Sequence, residues 1–500
     1  MKTSYSLAWI LILATLLFSC KKDKNSDLPT PPAEGTREQL TTDSLFLYAK
    51  EVYLWYDALP DFATFNPRRF ANGTGSLSNY QQELYAITQY KVNPTTSEPY
   101  EYSGTNGHPK YSYMIEGSST GGTGGTMGAV TLADKGDDYG LALTAISSSA
   151  VYIRYVNPAS PAANAGLQRG DRVLSINGTT INSGSSAFIE SAFAQSNLTM
   201  SISRNGATSN VSMSKTAYTT NPVFKSTVLI AGGTQKVGYI AYSRFSVASS
   251  SKPALDAVFA DFAQKGVTAL VVDLRYNGGG YTKTAEELVN QIAPSSLNNQ
   301  VMYVEYFNDL LQGGKAPILK QQMYFNSEGK PVQVNGHWAT YADLNYTVSG
   351  NTYKFSNTGS LEGVKQVVFI VSGNTASASE LVINSLKAWM PVKLVGSQTY
   401  GKPVGFFGIK IDKYTVYLSS FSMQNGKGEG DYFHGMTPDI QAPDDVTRDF
   451  GNPLESCLAA ALDYITGHPS GRVGAEQVQP QVNMGPLPFT GMIEDRLKLK

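Results

Sequence analysis

Two strand-length apolar segments, each followed by a helical pattern, constrain the fold of this chain most strongly. TALVVDL (268–274) is a continuous apolar run, and KQVVFIV (365–371) is another. Runs of this kind are typical of strands buried on both faces of a parallel sheet. Helical patterns follow each of them, TAEELVNQIA after the first and ASELVINSLKAW after the second. This alternation predicts an α/β layered core at about 219–470.

Two regions with different patterns precede this core. Apolar residues recur at helical spacing after Asp43, which predicts a helix capped by Asp43 or Ser44 in an N-terminal helical domain at 38–116. GSSTGGTGGTMG (117–128) is rich in Gly, Ser and Thr and is typical of a linker. Residues 129–218 contain short β-rich runs. The fold class is therefore multidomain α/β (α+β).

Composition narrows the classes of partner. The 500 residues carry a formal net charge of −1, and no basic stripe is visible, so nothing predicts nucleic acid as a partner. No metal-binding motif such as HExxH occurs, and no metal or cofactor is expected. The low charged fraction, 16%, and the abundant tyrosines favour a secreted or envelope protein.

The N-terminus has the pattern of an export signal. Lys2 is followed by an almost unbroken apolar run at 7–18, which is too short to span a bilayer and is typical of a signal-peptide core. LFSC, ending at Cys20, resembles a bacterial lipobox. That resemblance implies removal of residues 1–19, a lipid on Cys20 and a solvated tether at 20–37, so that the protein is anchored in the bacterial cell envelope. Ordinary secretion is the alternative.

The β-rich region resembles a PDZ domain. The resemblance rests on YGLAL (139–143) and on SPAANAGLQRGDRVLSING (160–178), which combines a short helix with a glycine turn. In PDZ domains, successive backbone N–H groups bind the terminal carboxylate of a peptide, which adds as a strand to the sheet edge. The corresponding peptide-binding loop here consists of Tyr139, Gly140, Leu141, Ala142 and Leu143.

A serine and a lysine in the α/β core suggest a hydrolase. Ser377 lies in GNTASASE, at the predicted start of a helix, and Lys402 follows 25 residues later in TYGKPVG. A lysine can act as the base for a serine if burial lowers its pKa, because a neutral amine is then available near pH 7. Ser379 and Ser372 are alternative nucleophiles by residue type alone.

A glycine-rich segment, DLRYNGGG (273–280), follows the first buried strand; we call it the glycine loop. Glycines at the end of a strand can present backbone N–H groups, as an oxyanion hole requires. The segment lacks the GK[ST] ending of a P-loop and the GxGxxG spacing of a dinucleotide fold. A tight strand-to-helix turn is the structural alternative.

Three motifs in order, DLRYNGGG, TASASELVINSLK and VGSQTYGKP, downstream of a PDZ-like domain, resemble the carboxyl-terminal processing (tail-specific) serine peptidases. The resemblance covers about 38–466. It implies a crotonase/ClpP-like α/β core, with Ser377 as nucleophile and Lys402 as base. It further implies an oxyanion hole formed by the backbone N–H of Ala378 and that of Gly278 or Gly279. Substrates would be polypeptides with accessible C-termini.

The chain departs from that family's pattern at two places. Many members have a glutamine four residues after the lysine, where this chain has Phe406, so another group must orient Lys402. The glycine loop and Ser377 are also unusually far apart, which predicts a hairpin insertion at about 308–360; we call it the insertion. The C-terminal tail, 471–500, has little periodicity and is expected to be extended or disordered.

Two alternatives to a Ser–Lys peptidase remain open in the sequence. One is an inactive, lipid-anchored peptide-binding protein that retains the peptidase fold, and Phe406 is its best support. The other is an esterase or amidase with the same dyad. A histidine could also replace the lysine as base, and His108, far upstream of the serine, is the candidate for that role.

Overall fold

The computed structural model describes residues 34–73, 75–104, 107–117, 130–326, 330–357, 361–467, 482–484, 491–494 and 498–500. The expected signal peptide, the tether up to residue 33, Cys20 and most of the expected linker lie outside the described residues. Among the helices that are described, none combines the length and apolar character needed to cross a bilayer.

The α-helices of the described residues are, in chain order, α1 (Arg37–Val52), α2 (Phe62–Phe65), α3 (Leu77–Thr88), α4 (Pro161–Asn164), α5 (Ser186–Ala194), α6 (Ala248–Gln264), α7 (Thr282–Ile292), α8 (Asp309–Gln312), α9 (Ala378–Lys387) and α10 (Ser456–Thr466). The strands are β1 (Tyr113–Glu116), β2 (Lys135–Gly136), β3 (Leu141–Ser147), β4 (Ala150–Val156), β5 (Arg172–Ile176), β6 (Thr179–Thr180), β7 (Asn197–Arg204), β8 (Ala207–Ser214), β9 (Tyr218–Thr219), β10 (Val223–Ala231), β11 (Gln235–Tyr242), β12 (Ala269–Asp273), β13 (Gly279–Tyr281), β14 (Val301–Phe307), β15 (Gln333–Val334), β16 (His337–Trp338), β17 (Thr352–Lys354), β18 (Val367–Val371), β19 (Val392–Gly396), β20 (Val404–Gly405), β21 (Gly408–Ile411), β22 (Tyr414–Tyr417), β23 (Phe421–Asn425), β24 (Ile440–Gln441), β25 (Val482–Met484) and β26 (Gly491–Ile493).

The first helix begins earlier than its apolar pattern indicates. Thr36 caps α1, because its side chain accepts a hydrogen bond from the Gln39 N–H while the Gln39 side chain accepts one from the Thr36 N–H. The prediction that Asp43 or Ser44 caps the helix is therefore wrong. Asp43 lies inside the helix and pairs with Arg68. The helices α1 and α3 share one apolar core with the α/β region.

The α/β region is built on a six-stranded sheet with the order β10–β11–β12–β18–β19–β24. From β11 onward, neighbouring strands are parallel, and every residue of β12 and β18 is buried, because helices cover both faces. The core on one face includes residues of α6, α7 and α9, and the core on the other includes residues of α10. The layered α/β core is thus as predicted.

The β-rich region forms a separate seven-stranded sheet with the order β25–β3–β4–β5–β7–β8 and β6 on β5. The apolar core of this sheet is made of its own residues together with Met484 of the tail. Within the insertion, β15 pairs with β16 as a short hairpin, and β17 pairs with β14 at its border.

The C-terminal tail contains two strands that its sequence pattern did not indicate. β25 pairs antiparallel with β3 of the PDZ-like region, and β26 pairs parallel with β13, which begins inside the glycine loop. These residues are therefore extended, and it is their pairing with other strands that the sequence did not indicate. Each strand has only three residues, which is too short for alternation to be seen in the sequence.

Candidate active site

Adjacent parallel strands bring the motifs to one edge of the six-stranded sheet. The glycine loop follows β12 and the Ser377 segment follows β18, so both leave the sheet at its carboxyl edge. The two segments are bonded to each other, since the Ala376 N–H donates to the Asn277 carbonyl oxygen at 3.2 Å. The glycine loop and the candidate nucleophile are therefore fixed relative to one another.

Ser377 has the backbone of a strained nucleophile turn. Its φ is 62° and its ψ is −113°, which a residue with a side chain rarely adopts, and it precedes the first residue of α9. The residue is fully buried, and its Oγ has no hydrogen-bond partner among the described residues. The Ser379 hydroxyl donates to the Asn277 carbonyl and the Ser372 hydroxyl to the Arg275 carbonyl. The alternative serines thus have structural bonds, and Ser377 does not.

The carboxylate of Glu380 joins the Ser377 and Lys402 segments. The backbone N–H groups of Ser377 and Lys402 both donate to its Oε2 at 2.8 Å. Its Oε1 accepts from the Gly401 N–H at 2.7 Å and the Thr399 hydroxyl at 2.5 Å. Burial raises the pKa of Glu380, and these four hydrogen bonds oppose the rise. Sequence reasoning missed this residue, although it lies in the quoted GNTASASE motif.

Lys402 lies in an environment that favours its neutral form. The residue is 1% exposed, and burial lowers its pKa from the ordinary 10.5 to about 7, although the carboxylates of Glu101 and Glu380 act in the opposite direction. Its amine and the Ser377 hydroxyl are not hydrogen-bonded in this arrangement. Such bonds are often long before substrate binds.

Two groups lie close to the Lys402 amine and are candidates to orient it where this chain lacks the glutamine. The carbonyl oxygen of Tyr111 accepts from the Lys402 Nζ at 3.4 Å, and the Phe406 ring centroid lies 4.4 Å from the same atom. Tyr111 belongs to the N-terminal region, and its N–H donates to the buried carboxylate of Glu101. The N-terminal helical region thus completes the site, which its sequence alone did not reveal.

The glycine loop approaches the helix start closely. A Cβ on Gly279, whose φ is +113°, would lie against the Gly491 carbonyl oxygen, 2.9 Å from the Ser377 Cβ and 3.1 Å from the Ala378 nitrogen. Only glycine fits there. The Gly279 N–H donates to the Asn277 side chain at 2.9 Å, so it is not directed at a substrate oxygen in this arrangement. Gly278 and Ala378 are the other candidate donors.

The candidate peptide-binding loop leads into the edge strand β3. Tyr139, Leu141, Ala142 and Leu143 are all buried, and the Tyr139 hydroxyl donates to the Gln195 carbonyl. The Gly140 N–H donates to the Asp138 carboxylate at 3.1 Å, so the chain's own carboxylate binds the loop. The outer edge of β3 pairs with β25 of the tail.

A buried ionic cluster links the PDZ-like region to the glycine loop. Arg169 donates to Asp444 at 2.5 Å, and Arg275 of the glycine loop donates to the same carboxylate at 2.8 Å. Arg275 also binds Glu455, the N-terminal cap of α10, through two bonds of 2.8 and 2.9 Å. The arginines hold the pKa of Asp444 well below its ordinary range.

Other candidate groups lie outside this site. None of the histidine side chains in the described residues, His108 among them, bonds the Ser377 hydroxyl. Nor does the described part of the chain group three or more His, Cys, Asp or Glu residues in a way that could hold a metal ion. The expected lipidation at Cys20 falls outside the described residues.

Comparison with known proteins agrees with this geometry. Residues 236–442 match the sequence model of peptidase family S41, and residues 152–188 match that of a PDZ domain. The first range covers five of the six strands of the large sheet, from β11 to β24, together with both loops, and the second covers part of the β-rich region.

Curated relatives support the same assignment. The chain is 26% identical over 340 residues to the chloroplastic C-terminal processing peptidase of Tetradesmus obliquus, covering 64% of this chain and 62% of that protein. It is 24% identical over 322 residues to the carboxyl-terminal-processing protease of Synechocystis sp. (strain ATCC 27184 / PCC 6803 / Kazusa), covering 62% and 63% respectively. The match thus spans less than two thirds of these curated relatives.

A solved structure shows the same fold. The crystal structure of a Bacteroides fragilis NCTC 9343 protein, described as an S41 protease, aligns with this chain with a TM-score of 0.56 and 21% identity. The alignment covers 85% of this chain and 97% of that one. The two matched domains and the curated relatives together support assigning the chain to the C-terminal processing peptidases, with an S41 peptidase domain and a PDZ domain.

Proposed function

We propose that this protein is a serine endopeptidase that cuts polypeptides near unstructured C-terminal segments, with Ser377 as nucleophile and Lys402 as base. The observation that carries the proposal is the arrangement around Glu380, which ties the backbones of a buried, strained serine and a buried lysine to one oxygen atom. The names of the relatives, which are C-terminal processing proteases, support the choice of substrate.

The chemistry follows from the protonation state of Lys402. With its pKa lowered to about 7, the amine is partly neutral at physiological pH and accepts the proton of the Ser377 hydroxyl. The Ser377 oxygen then attacks the peptide carbonyl. The N–H of Ala378, at the positive end of α9, and a glycine N–H stabilise the oxyanion. The leaving amine takes the proton, and a water deprotonated by Lys402 hydrolyses the acyl-enzyme.

The PDZ-like region supplies the preference for chain ends in this proposal. An extended peptide can add as a strand to β3 at the side where β25 of the tail pairs in this structure, and strand addition recognises backbone and therefore suits many sequences. A small-molecule esterase or amidase would have no use for such a groove. We therefore favour protein substrates with accessible C-termini.

The test is cleavage of an unfolded protein by purified variants. Ser377→Ala and Lys402→Ala should each reduce kcat by about 10³-fold or more. Ser385→Ala is the matched control, because Ser385 is also buried and its hydroxyl also lacks a partner among the described residues. Activity retained in Lys402→Ala would rule out the dyad. A protein that binds peptides but never reacts with a serine-directed probe, neither as wild type nor as a variant with its C-terminal tail released, would instead be an inactive peptide-binding protein.

We further propose that a lipid on Cys20 anchors the enzyme in the bacterial cell envelope. The lipobox-like LFSC sequence supports this. Mass spectrometry of the mature N-terminus should find a lipidated Cys20, and Cys20→Ser should move the protein from the membrane fraction to the soluble one. An unmodified Cys20 in mature protein would contradict the anchor without affecting the peptidase proposal.

A further inference from the structure

The tail strand β26 lies directly against the glycine loop. Its register with β13 is parallel and places Gly491 opposite Gly279 and Met492 opposite Gly280. The Gly491 N–H donates to the Gly278 carbonyl oxygen at 3.1 Å. The chain's own C-terminal segment is therefore bonded to the loop that is expected to form the oxyanion hole.

The opposite edge of the same strand is bonded to the segment after Lys402. The Phe406 N–H donates to the Met492 carbonyl at 3.2 Å, and the Glu494 N–H donates to the Phe406 carbonyl at 3.4 Å. A segment that forms backbone hydrogen bonds on both edges is held as an added strand, which is how peptides are recognised independently of sequence. β26 thus fills the space between the glycine loop and Phe406.

The side chains of this segment are also buried. Met492 is 0% exposed, Ile493 is 9% exposed and Glu494 is 2% exposed. The Glu494 carboxylate accepts from the Thr282 hydroxyl at 2.7 Å, where α7 begins and the helix dipole favours a negative charge. The site therefore binds an extended segment in which a small residue precedes two apolar residues and an acid.

In this arrangement Ser377 is buried beside the tail. The Gly491 carbonyl oxygen and the Ser377 Cβ both lie against the position that a Cβ on Gly279 would take. The Ser377 Oγ is inaccessible to solvent, and the Gly279 N–H is bonded to Asn277. The arrangement is therefore a closed one, with the site covered by the chain itself.

The tail is held at two further places. Met484 of β25 pairs with Leu143 at the edge strand of the PDZ-like region and is buried in the core of that region. At the end of the chain, the Asn345 N–H donates to the Lys498 carbonyl at 2.7 Å and the Lys500 N–H donates to the Asp343 carbonyl at 3.0 Å. The insertion thus binds the C-terminal residues, and the tail occupies both the peptide edge and the catalytic cleft.

We propose that the chain's own C-terminal residues 491–494 are a resident ligand of the active-site cleft, bound in the manner of an extended substrate backbone, and that they keep the peptidase inactive until displaced. This rests on the proposed serine peptidase function and adds to it a regulatory element and a class of preferred ligand. A protein substrate with a small–apolar–apolar–acidic segment competes for the same cleft.

The test uses the full-length protein and a double variant, Met492→Asp with Ile493→Asp, in which two carboxylates cannot be buried in the cleft. Hydrogen exchange should show protected amides at 491 and 494 in the wild type and rapid exchange in the variant. Cleavage of an unfolded protein should rise at least tenfold in the variant. Lys498→Asp is the control and should leave the rate unchanged, because this side chain is exposed and the contact of Lys498 with Asn345 is made by its backbone carbonyl.

Two additional measurements make the result independent of that variant's folding. Glu494→Ala removes a carboxylate that accepts from the Thr282 hydroxyl and, at 3.5 Å, from the Tyr353 hydroxyl, and it should raise the rate less but in the same direction. The synthetic peptide VNMGPLPFTGMIE, the sequence of residues 482–494, should inhibit the double variant when added in trans. Unprotected 491 and 494 amides in the wild type would overturn the proposal, as would a released tail with an unchanged rate.

Failure of the underlying function is recognised separately. If Ser377 reacts with a serine-directed probe equally in wild type and in the double variant, the peptidase proposal stands and the tail proposal fails. If the released variant shows neither probe labelling nor cleavage, the serine peptidase function itself fails, and the inhibitory role falls with it.

Discussion

At the residue scale, the site depends on two buried ionisable groups, Lys402 and Glu380, that would be unstable there without specific partners. Lys402 is buried, and its amine contacts a carbonyl oxygen and an aromatic ring. Glu380 is fully buried and binds four donors. Burying such groups costs stability, so they are typical of places where function requires a perturbed pKa.

Substitution of Glu380 tests its role as a positioning residue. Glu380→Gln puts an NH₂ group opposite two donors, so the Ser377 and Lys402 segments should separate, and kcat should fall about 100-fold with KM little changed. The acidic limb of the pH profile should also move to lower pH, because the Glu380 carboxylate raises the pKa of Lys402. Glu83→Gln is the control, since that buried carboxyl has no partner among the described residues. An unchanged kcat would remove Glu380 from the site.

Lys402 should reduce the stability of the protein at neutral pH. Its pKa is about 7 when folded and near 10.5 when unfolded, so between these values the unfolded state binds the extra proton and stability rises with pH. Lys402→Met should therefore raise the melting temperature at pH 7, and the gain should shrink towards pH 10. Exposed Lys410→Met should show no such trend. A gain that does not depend on pH would contradict the lowered pKa.

At the element scale, the central strands of the large sheet could be predicted from the sequence, but the hydrogen bonds made by individual side chains could not. The runs at 268–274 and 365–371 predicted β12 and β18 because fully apolar segments have one stable location, the middle of a covered sheet. The capping of α1 was predicted wrongly, since Asp43 resembles a cap and only its pairing with Arg68 shows otherwise. The role of Glu380 depends on its hydrogen bond with the Lys402 N–H, 22 residues later in the chain. A contact over that distance cannot be recognised from a local sequence pattern.

Substitution of Glu455, which caps the start of α10, should strongly lower the free energy of unfolding. Glu455 accepts from the Leu458 N–H at 2.9 Å and binds Arg275 in the buried cluster. Glu455→Ala removes the cap and one partner of a buried arginine, so unfolding free energy should fall by about 3–5 kcal/mol in denaturant titration. Glu116→Ala, which breaks the exposed pair with Lys413, should cost about 1 kcal/mol or less. Equal losses in the two variants would contradict this account.

At the scale of the whole molecule, three regions that are distant in sequence meet around Ser377 and Lys402. The N-terminal region supplies Tyr111, the sheet supplies the glycine loop and Ser377, and the tail supplies β26. The sequence predicted the first two regions as separate domains, but the N-terminal helices share the peptidase core. Short strands that pair with partners more than 200 residues away cannot be seen from periodicity, so the tail contacts required the structure.

The central claim is that Ser377 is a nucleophile activated by Lys402. Labelling of Ser377 by a serine-directed fluorophosphonate probe, followed across pH, tests it most directly when done on the tail-released Met492→Asp/Ile493→Asp variant. Labelling should increase with pH, with a midpoint near 7, and should be lost in Lys402→Met in the same background. Labelling that persists at the same rate and pH midpoint without Lys402 would contradict the account.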